Sequence, residues 1–185
     1  MADTELLNQI IERYRACPNY SDTGKSVEHL KVGDKDLGFK EAPFATTFSR
    51  GRGELTFECA ESGQGSRVLK VGFGRVEIID VEASRVAVMA SLDDAILNLL
   101  LSSRGASALV PSLLLNIHTI SPLLELTCLE QVGKETIDNG SACLVLTGVH
   151  PRQGLYRLWI DDASLLIRRL RVEADQTFYF APNIE

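Results

Sequence analysis

Residues 91–115, SLDDAILNLLLSSRGASALVPSLLL, decide how the rest of the chain is to be read. They open a leucine-rich stretch, Ser91 to Leu126, in which 12 of 36 residues are leucine, far more than a connecting loop needs. Ser91 stands where a helix cap belongs, and Asp93 and Asp94 fall in the first turn, where negative charge suits the helix dipole. Leu92, Ile96, Leu99 and Leu100 then share one helical stripe. Gly105 stops that helix, and a second short one is predicted from about Pro111. A greasy helical insertion between strands reads as a lid over the mouth of a curved sheet. A lid in turn implies a cavity for something apolar.

On the N-terminal side of this stretch the pattern is mostly strand. Asp3 or Thr4 is placed to cap a first helix, with Leu7, Ile10, Ile11 and Tyr14 on one face and Pro18 beyond its end. Tyr20 to Val32 is polar and extended, and GDKD at 33–36 reads as a turn. Phe39 to Ser49 forms a second strand, with Phe44 and Phe48 an even number of residues apart and so on one face. Leu55, Phe57 and Cys59 alternate with Thr56, Glu58 and Ala60, the period of a half-buried strand. ESGQGS then turns the chain into Arg67 to Phe73, followed by Val76 to Val81.

On the C-terminal side, Leu126 to Ile137 and Ala142 to Val149 flank Asp138-Asn139-Gly140, a strong hairpin signal. Tyr156 to Ile160 and Leu165 to Glu173 follow across an Asp161-Asp162-Ala163 turn, and Gln176 to Phe180 is expected as a last strand. The expected fold is α+β: a strongly curved antiparallel sheet, an unclosed β-barrel of about ten strands, with an N-terminal helix and a central helical lid. At 185 residues one domain, 1–185, is expected, long enough to bury about 70% of its unfolded surface.

Composition narrows the function. The net charge of −6 argues against nucleic acid, whose binding needs clustered positive charge. No apolar run is long enough for a transmembrane segment. The opening MADTELLNQIIERYRAC has no basic n-region and no continuous apolar core, so no signal peptide is read in it. Cys17, Cys59, Cys128 and Cys143 include no C-x-x-C pair, and those in strands read as small buried hydrophobes.

Catalytic and cofactor motifs are missing. There is no G-x-S-x-G, H-E-x-x-H, P-loop or G-x-G-x-x-G, and Gly51-Arg52-Gly53 and Gly72-Phe73-Gly74 read as turns. His29, His118 and His150 are single and read as solvated, and the adjacent Asp161 and Asp162 read as turn residues rather than an acid/base pair. No enzyme, catalytic residue, metal ligand or cofactor is expected.

The order of features resembles a bacterial family. It comprises the initial amphipathic helix, Tyr20-Ser21-Asp22-Thr23-Gly24, the segment FATTFSRGRGELTFEC at 44–59, VPSLLL at 110–115 and LWIDDASLLIRRLRV at 158–172. In this order they are similar to the LolA/LolB-like lipoprotein carriers, and more closely to uncharacterised exported bacterial relatives of them. The segment from Tyr179 to Ile184 is similar to one after which that family adds a further strand.

The resemblance implies binding of a hydrophobic ligand, a lipid or a lipoprotein acyl chain, in a concave face covered by helices, in the periplasm or cell envelope. The implied lining is Phe44, Phe48, Phe57, Ile96, Leu99, Leu100, Leu113, Leu114 and Trp159. It also implies an arginine that bonds to the lid, matched here by Arg50, with Arg52 as the competing position and Gly51 where the family has proline. The alternative is an envelope sensor or protein-interaction domain whose same concave face meets a protein partner.

Overall fold

The computed structural model describes residues 2–32, 35–61, 65–103, 109–116, 122–137 and 140–173. The expected turns at 33–36 and at ESGQGS, the stop at Gly105, the Asp138-Asn139-Gly140 turn and His118 lie wholly or partly outside them, as does the strand from Gln176 to Phe180. The chain forms two compact units, residues 15–120 in one and residues 1–14 with 121–185 in the other.

The first unit is a six-stranded antiparallel sheet in sequence order: β1 (Asn19–Val32), β2 (Lys35–Ser49), β3 (Glu54–Glu61), β4 (Gly65–Gly72), β5 (Arg75–Asp80) and β6 (Arg85–Val88). Each strand pairs with the next, so no crossover is needed. The period of two holds where the sequence showed it: Leu55, Phe57 and Cys59 are buried while Glu58 is exposed. β6 has no such signature, because all four of its residues are exposed.

Two helices, α2 (Leu92–Ser103) and α3 (Leu109–Leu114), complete this unit. Ser91 caps α2 as expected: its Oγ accepts from Asp94 N at 3.0 Å and donates to the Asp94 carboxylate at 2.7 Å. α2 packs against β3, β4 and β5 and buries Ala95 and Ile96. α3 takes Pro111 in its first turn, where the missing N–H is not needed, and ends with Asn116 in the left-handed conformation at φ 58°. Asn116 N donates to Leu113 O at 3.2 Å, closing that last turn.

The second unit holds α1 (Ala2–Arg15), a 3-10 turn (Pro122–Glu125) and a four-stranded sheet, β7 (Thr127–Thr136), β8 (Ala142–His150), β9 (Gly154–Asp161) and β10 (Ile167–Glu173), also paired in sequence order. α1 starts at Ala2, so Asp3 lies in its first turn, facing the positive end of the dipole, rather than at the cap. Its apolar face is buried as the spacing required: Leu7, Ile10, Ile11 and Tyr14 are 5% exposed or less. The Tyr14 hydroxyl accepts from Ile167 N at 2.9 Å, which fixes α1 to the start of β10.

His150, expected to be solvated, is buried at the end of β8. Its Nδ1 accepts from Arg152 N at 3.1 Å, and its ring centroid lies 5.9 Å from that of Tyr156. Burial pushes its pKa down, opposed by Glu125, whose carboxylate lies 3.6 Å from Nε2. The Asp161 turn is as read: Oδ1 accepts from Ser164 N and Ser164 Oγ, both at 2.8 Å, and these bonds hold the carboxyl below its ordinary range.

The ten described strands are antiparallel throughout, and neither sheet closes into a barrel among the described residues. None of the four cysteines is in a disulfide among the described residues; Cys128 is exposed and the other three are buried. No described helix is long and apolar enough to cross a membrane.

Candidate functional site

The register of the six-stranded sheet lines up three rows of side chains on its buried face. The middle row runs Asp22, Thr46, Phe57, Leu69, Ile78, Ala87. On one side lie Tyr20, Phe48, Leu55, Val71 and Val76; on the other, Gly24, Phe44, Cys59, Arg67, Asp80 and Arg85. The face is therefore apolar at its centre, over β2, β3 and β4, with polar groups at both edges.

At the β1 edge the polar groups are tied to aromatic packing. The Phe44 ring lies across β1 at Gly24, where an added Cβ would sit 2.5 Å from the ring. Phe44 meets Phe57 with ring centroids 6.2 Å apart. Tyr20 donates its hydroxyl to Asp22 Oδ2 at 2.7 Å. The other Asp22 oxygen and the Thr46 hydroxyl are buried opposite one another with no hydrogen-bond partner among the described residues.

Arg50 closes the β2 end of this face. Its Nε donates to Cys17 O at 3.1 Å and its Nη2 to Leu114 O at 3.2 Å, and the guanidinium lies 5.0 Å from the Phe48 ring centroid. Leu114 is the last residue of α3, and its carbonyl is one of those a helix leaves unbonded at its C-terminus, where a cation is favoured. One side chain thus joins the start of β1, the end of β2 and the end of α3. Arg52 instead faces Glu54 across 4.0 Å at the surface.

Phe48, Phe57, Ile96, Leu113 and Leu114 are all buried, at 7% exposure or less, and Phe44 is half-buried. Leu99 and Leu100 belong to α2, but their side chains lie outside the described residues. Trp159 belongs to the second unit, on β9. There it packs with Cys143 and Val145, and its Nε1 donates to Glu135 at 2.7 Å. Arg157 and Arg169 lie 5.1 and 5.5 Å from its ring centroid.

An open pocket of about 480 Å³ lies at the opposite end of the sheet, lined by Arg67, Ile78, Asp80, Arg85, Val86 and Ala87. Sequence reasoning does not find these residues, because only the register of three strands brings them together. The second unit carries its own groove, about 230 Å³, lined by α1 residues such as Leu7 and Ile11 and by Leu123 to Leu129. Among the described residues no group of three or more His, Cys, Asp or Glu side chains is arranged to hold a metal ion.

No family model matches the sequence, and no curated protein matches it. Solved structures do match. The Mycobacterium tuberculosis lipoprotein LppX superposes with a TM-score of 0.56 at 16% identity, over 94% of this chain and 88% of that one. An uncharacterised conserved protein from Thermus thermophilus gives 0.55 at 11% identity, over 96% and 80%. MucB gives 0.50 at 14% identity; 94% of this chain is covered, but only 53% of MucB. At such identities the likeness is one of fold, and the fold is LolA/LolB-like.

Proposed function

We propose that the chain binds a hydrophobic ligand, a lipid or the acyl chain of a lipoprotein, on the apolar face of the six-stranded sheet beneath α2 and α3, and that it catalyses no reaction. Residues 1–185 act as one domain in this reading. The observation that carries it is Arg50, bonded at once to Cys17 O and Leu114 O. A helix held at its end by one exposed guanidinium can part from the sheet without breaking a strand pair. The face it would uncover is apolar, and each 100 Å² of such surface contributes about 2.5 kcal/mol when a ligand covers it. The fold shared with a mycobacterial lipoprotein supports work in the periplasm or cell envelope.

The packed state of Phe57, Ile96 and Leu114, each fully buried, favours a second reading. In it the same face serves an envelope sensor or protein-interaction domain, and a protein partner displaces the helices. Native mass spectrometry of gently purified protein, with organic extraction, separates the two. A discrete adduct of lipid mass is expected. An adduct-free monomer that also ignores added phospholipid and lipopeptide would refute ligand binding and leave the protein-docking reading.

A further inference from the structure

The buried face of the six-stranded sheet carries a polar pair in an aromatic surround. Asp22 on β1 and Thr46 on β2 stand directly opposite each other, and Phe57 on β3 continues their row. Phe44 and Phe48 flank Thr46 two residues away on the same face, and Tyr20 flanks Asp22. Phe44 also meets Phe57, with ring centroids 6.2 Å apart.

The protein leaves one atom of each residue unsatisfied. Asp22 Oδ2 accepts from the Tyr20 hydroxyl at 2.7 Å. Asp22 Oδ1 and Thr46 Oγ1 are buried with no hydrogen-bond partner among the described residues, and Thr46 as a whole is 0% exposed. Buried polar atoms without partners lower stability, and folds keep few of them. Directly opposed residues of an antiparallel pair have Cβ atoms about 4.5–5.5 Å apart, so one small group can reach both atoms. That group must donate to the carboxylate and accept from the threonine hydroxyl. A hydroxyl does both. An ether or ester oxygen can only accept, and a carboxylate or phosphate would set a second negative charge beside Asp22.

We propose that Asp22 and Thr46 form a polar subsite for a neutral hydroxyl on the bound amphiphile, a lipid alcohol or the free hydroxyl of an acylglycerol. Its alkyl chain lies over Phe57 toward Leu69, the next residue of the row. The inference rests on the hydrophobic-ligand reading above and sharpens it: the polar end of the ligand is a neutral donor and not an anion. The latch lies beside this subsite. Phe48, next to Thr46 on the face, has its ring centroid 5.0 Å from the Arg50 guanidinium, whose Nη2 holds Leu114 O at the end of α3. Release of that bond frees the Phe48 side of the subsite for entry.

The test measures binding of 1-decanol, decyl methyl ether and decanoate to the whole protein by calorimetry, below their solubility and micelle limits. Decanol is expected to bind about tenfold more tightly than the ether, the effect of about one hydrogen bond to a charged group. It should also bind more tightly than decanoate. Thr46→Val should bring decanol down toward the ether, and Thr46→Ser, which keeps the hydroxyl, should keep the preference. Asp22→Asn should narrow the gap between decanol and decanoate. Equal binding of decanol and the ether would mean that the pair holds water only, which overturns the inference while the hydrophobic-ligand reading stands. A preference for decanol that survives Thr46→Val, or decanoate binding as tightly as decanol, would place recognition of the polar end elsewhere and overturn it too. Binding of none of the three would refute both readings together.

Discussion

Arg50→Leu is the substitution that tests the latch most directly. The side chain's charge-assisted hydrogen bonds include those to Cys17 O and Leu114 O, and it rests on Phe48. Hydrogen bonds to a charged group contribute about 1.5–3 kcal/mol when well buried. Arg50 is exposed, so solvent competes, and about 1 kcal/mol for each bond is the better figure. Leucine retains the contact with Phe48 but neither bond. Only the bond to Leu114 O is broken when the end of α3 opens, so that opening should become easier by about 1 kcal/mol, an increase of about fivefold in its open population.

Native-state hydrogen exchange reads this residue by residue. The amides of Leu115 and Asn116, bonded to Pro111 O at 3.1 Å and Leu113 O at 3.2 Å, report on α3. Those of Phe57 and Leu69 report on the sheet. Exchange at Leu115 and Asn116 should accelerate about fivefold in Arg50→Leu, with little change at Phe57 and Leu69. Arg50→Lys, whose ammonium lacks the fork that reaches two carbonyls, should fall between the two proteins. Unchanged exchange at Leu115 and Asn116 would refute the latch. Equal acceleration at all four amides would refute it differently, making Arg50 a support of the whole unit.

Two further outcomes follow from side chains already described. Thr46→Val replaces a buried hydroxyl that has no partner among the described residues with a methyl group of similar volume, so stability in urea should hold or rise by up to about 1 kcal/mol; a loss above about 2 kcal/mol would mean that the hydroxyl is bonded. Glu135 is held below its ordinary pKa of 4.5, first by the hydrogen bond from Trp159, which burial opposes, and then by the charge and hydrogen bond of Arg157. A carboxyl lowered in this way contributes stability above its unfolded value and loses it as pH falls through the lower folded value. Emission of Trp159, the single tryptophan, should therefore stay constant down to pH 4.5 and change only below it, and Glu135→Gln should abolish the change. A midpoint above 4.5 would refute the assignment.

Local signals account for what is legible in the sequence. Ser91 with Asp94 marks the start of α2, and Leu7, Ile10, Ile11 and Tyr14 mark the buried face of α1. Leu55, Phe57 and Cys59 mark β3. Each signal lies within a few residues, where backbone geometry alone sets the period. β6 escapes such a reading because Val86 and Val88 are 56% and 59% exposed, so its apolar residues do not mark a buried face. His150 reads as solvated because a residue at a strand end is so by default, and its burial depends on Tyr156 and Glu125.

The sequence by itself determined the α+β class, the antiparallel pairing of neighbouring strands and the leucine-rich helices between β6 and β7. It did so because turns, caps and hydrophobic periods are written in adjacent residues. Only the tertiary structure decided that Arg50 reaches Leu114, 64 positions away, and that Arg67, Asp80 and Arg85 share one row. Strand register is set cooperatively by turns and by packing across the sheet, and a slip of one residue would send each of these side chains to the opposite face.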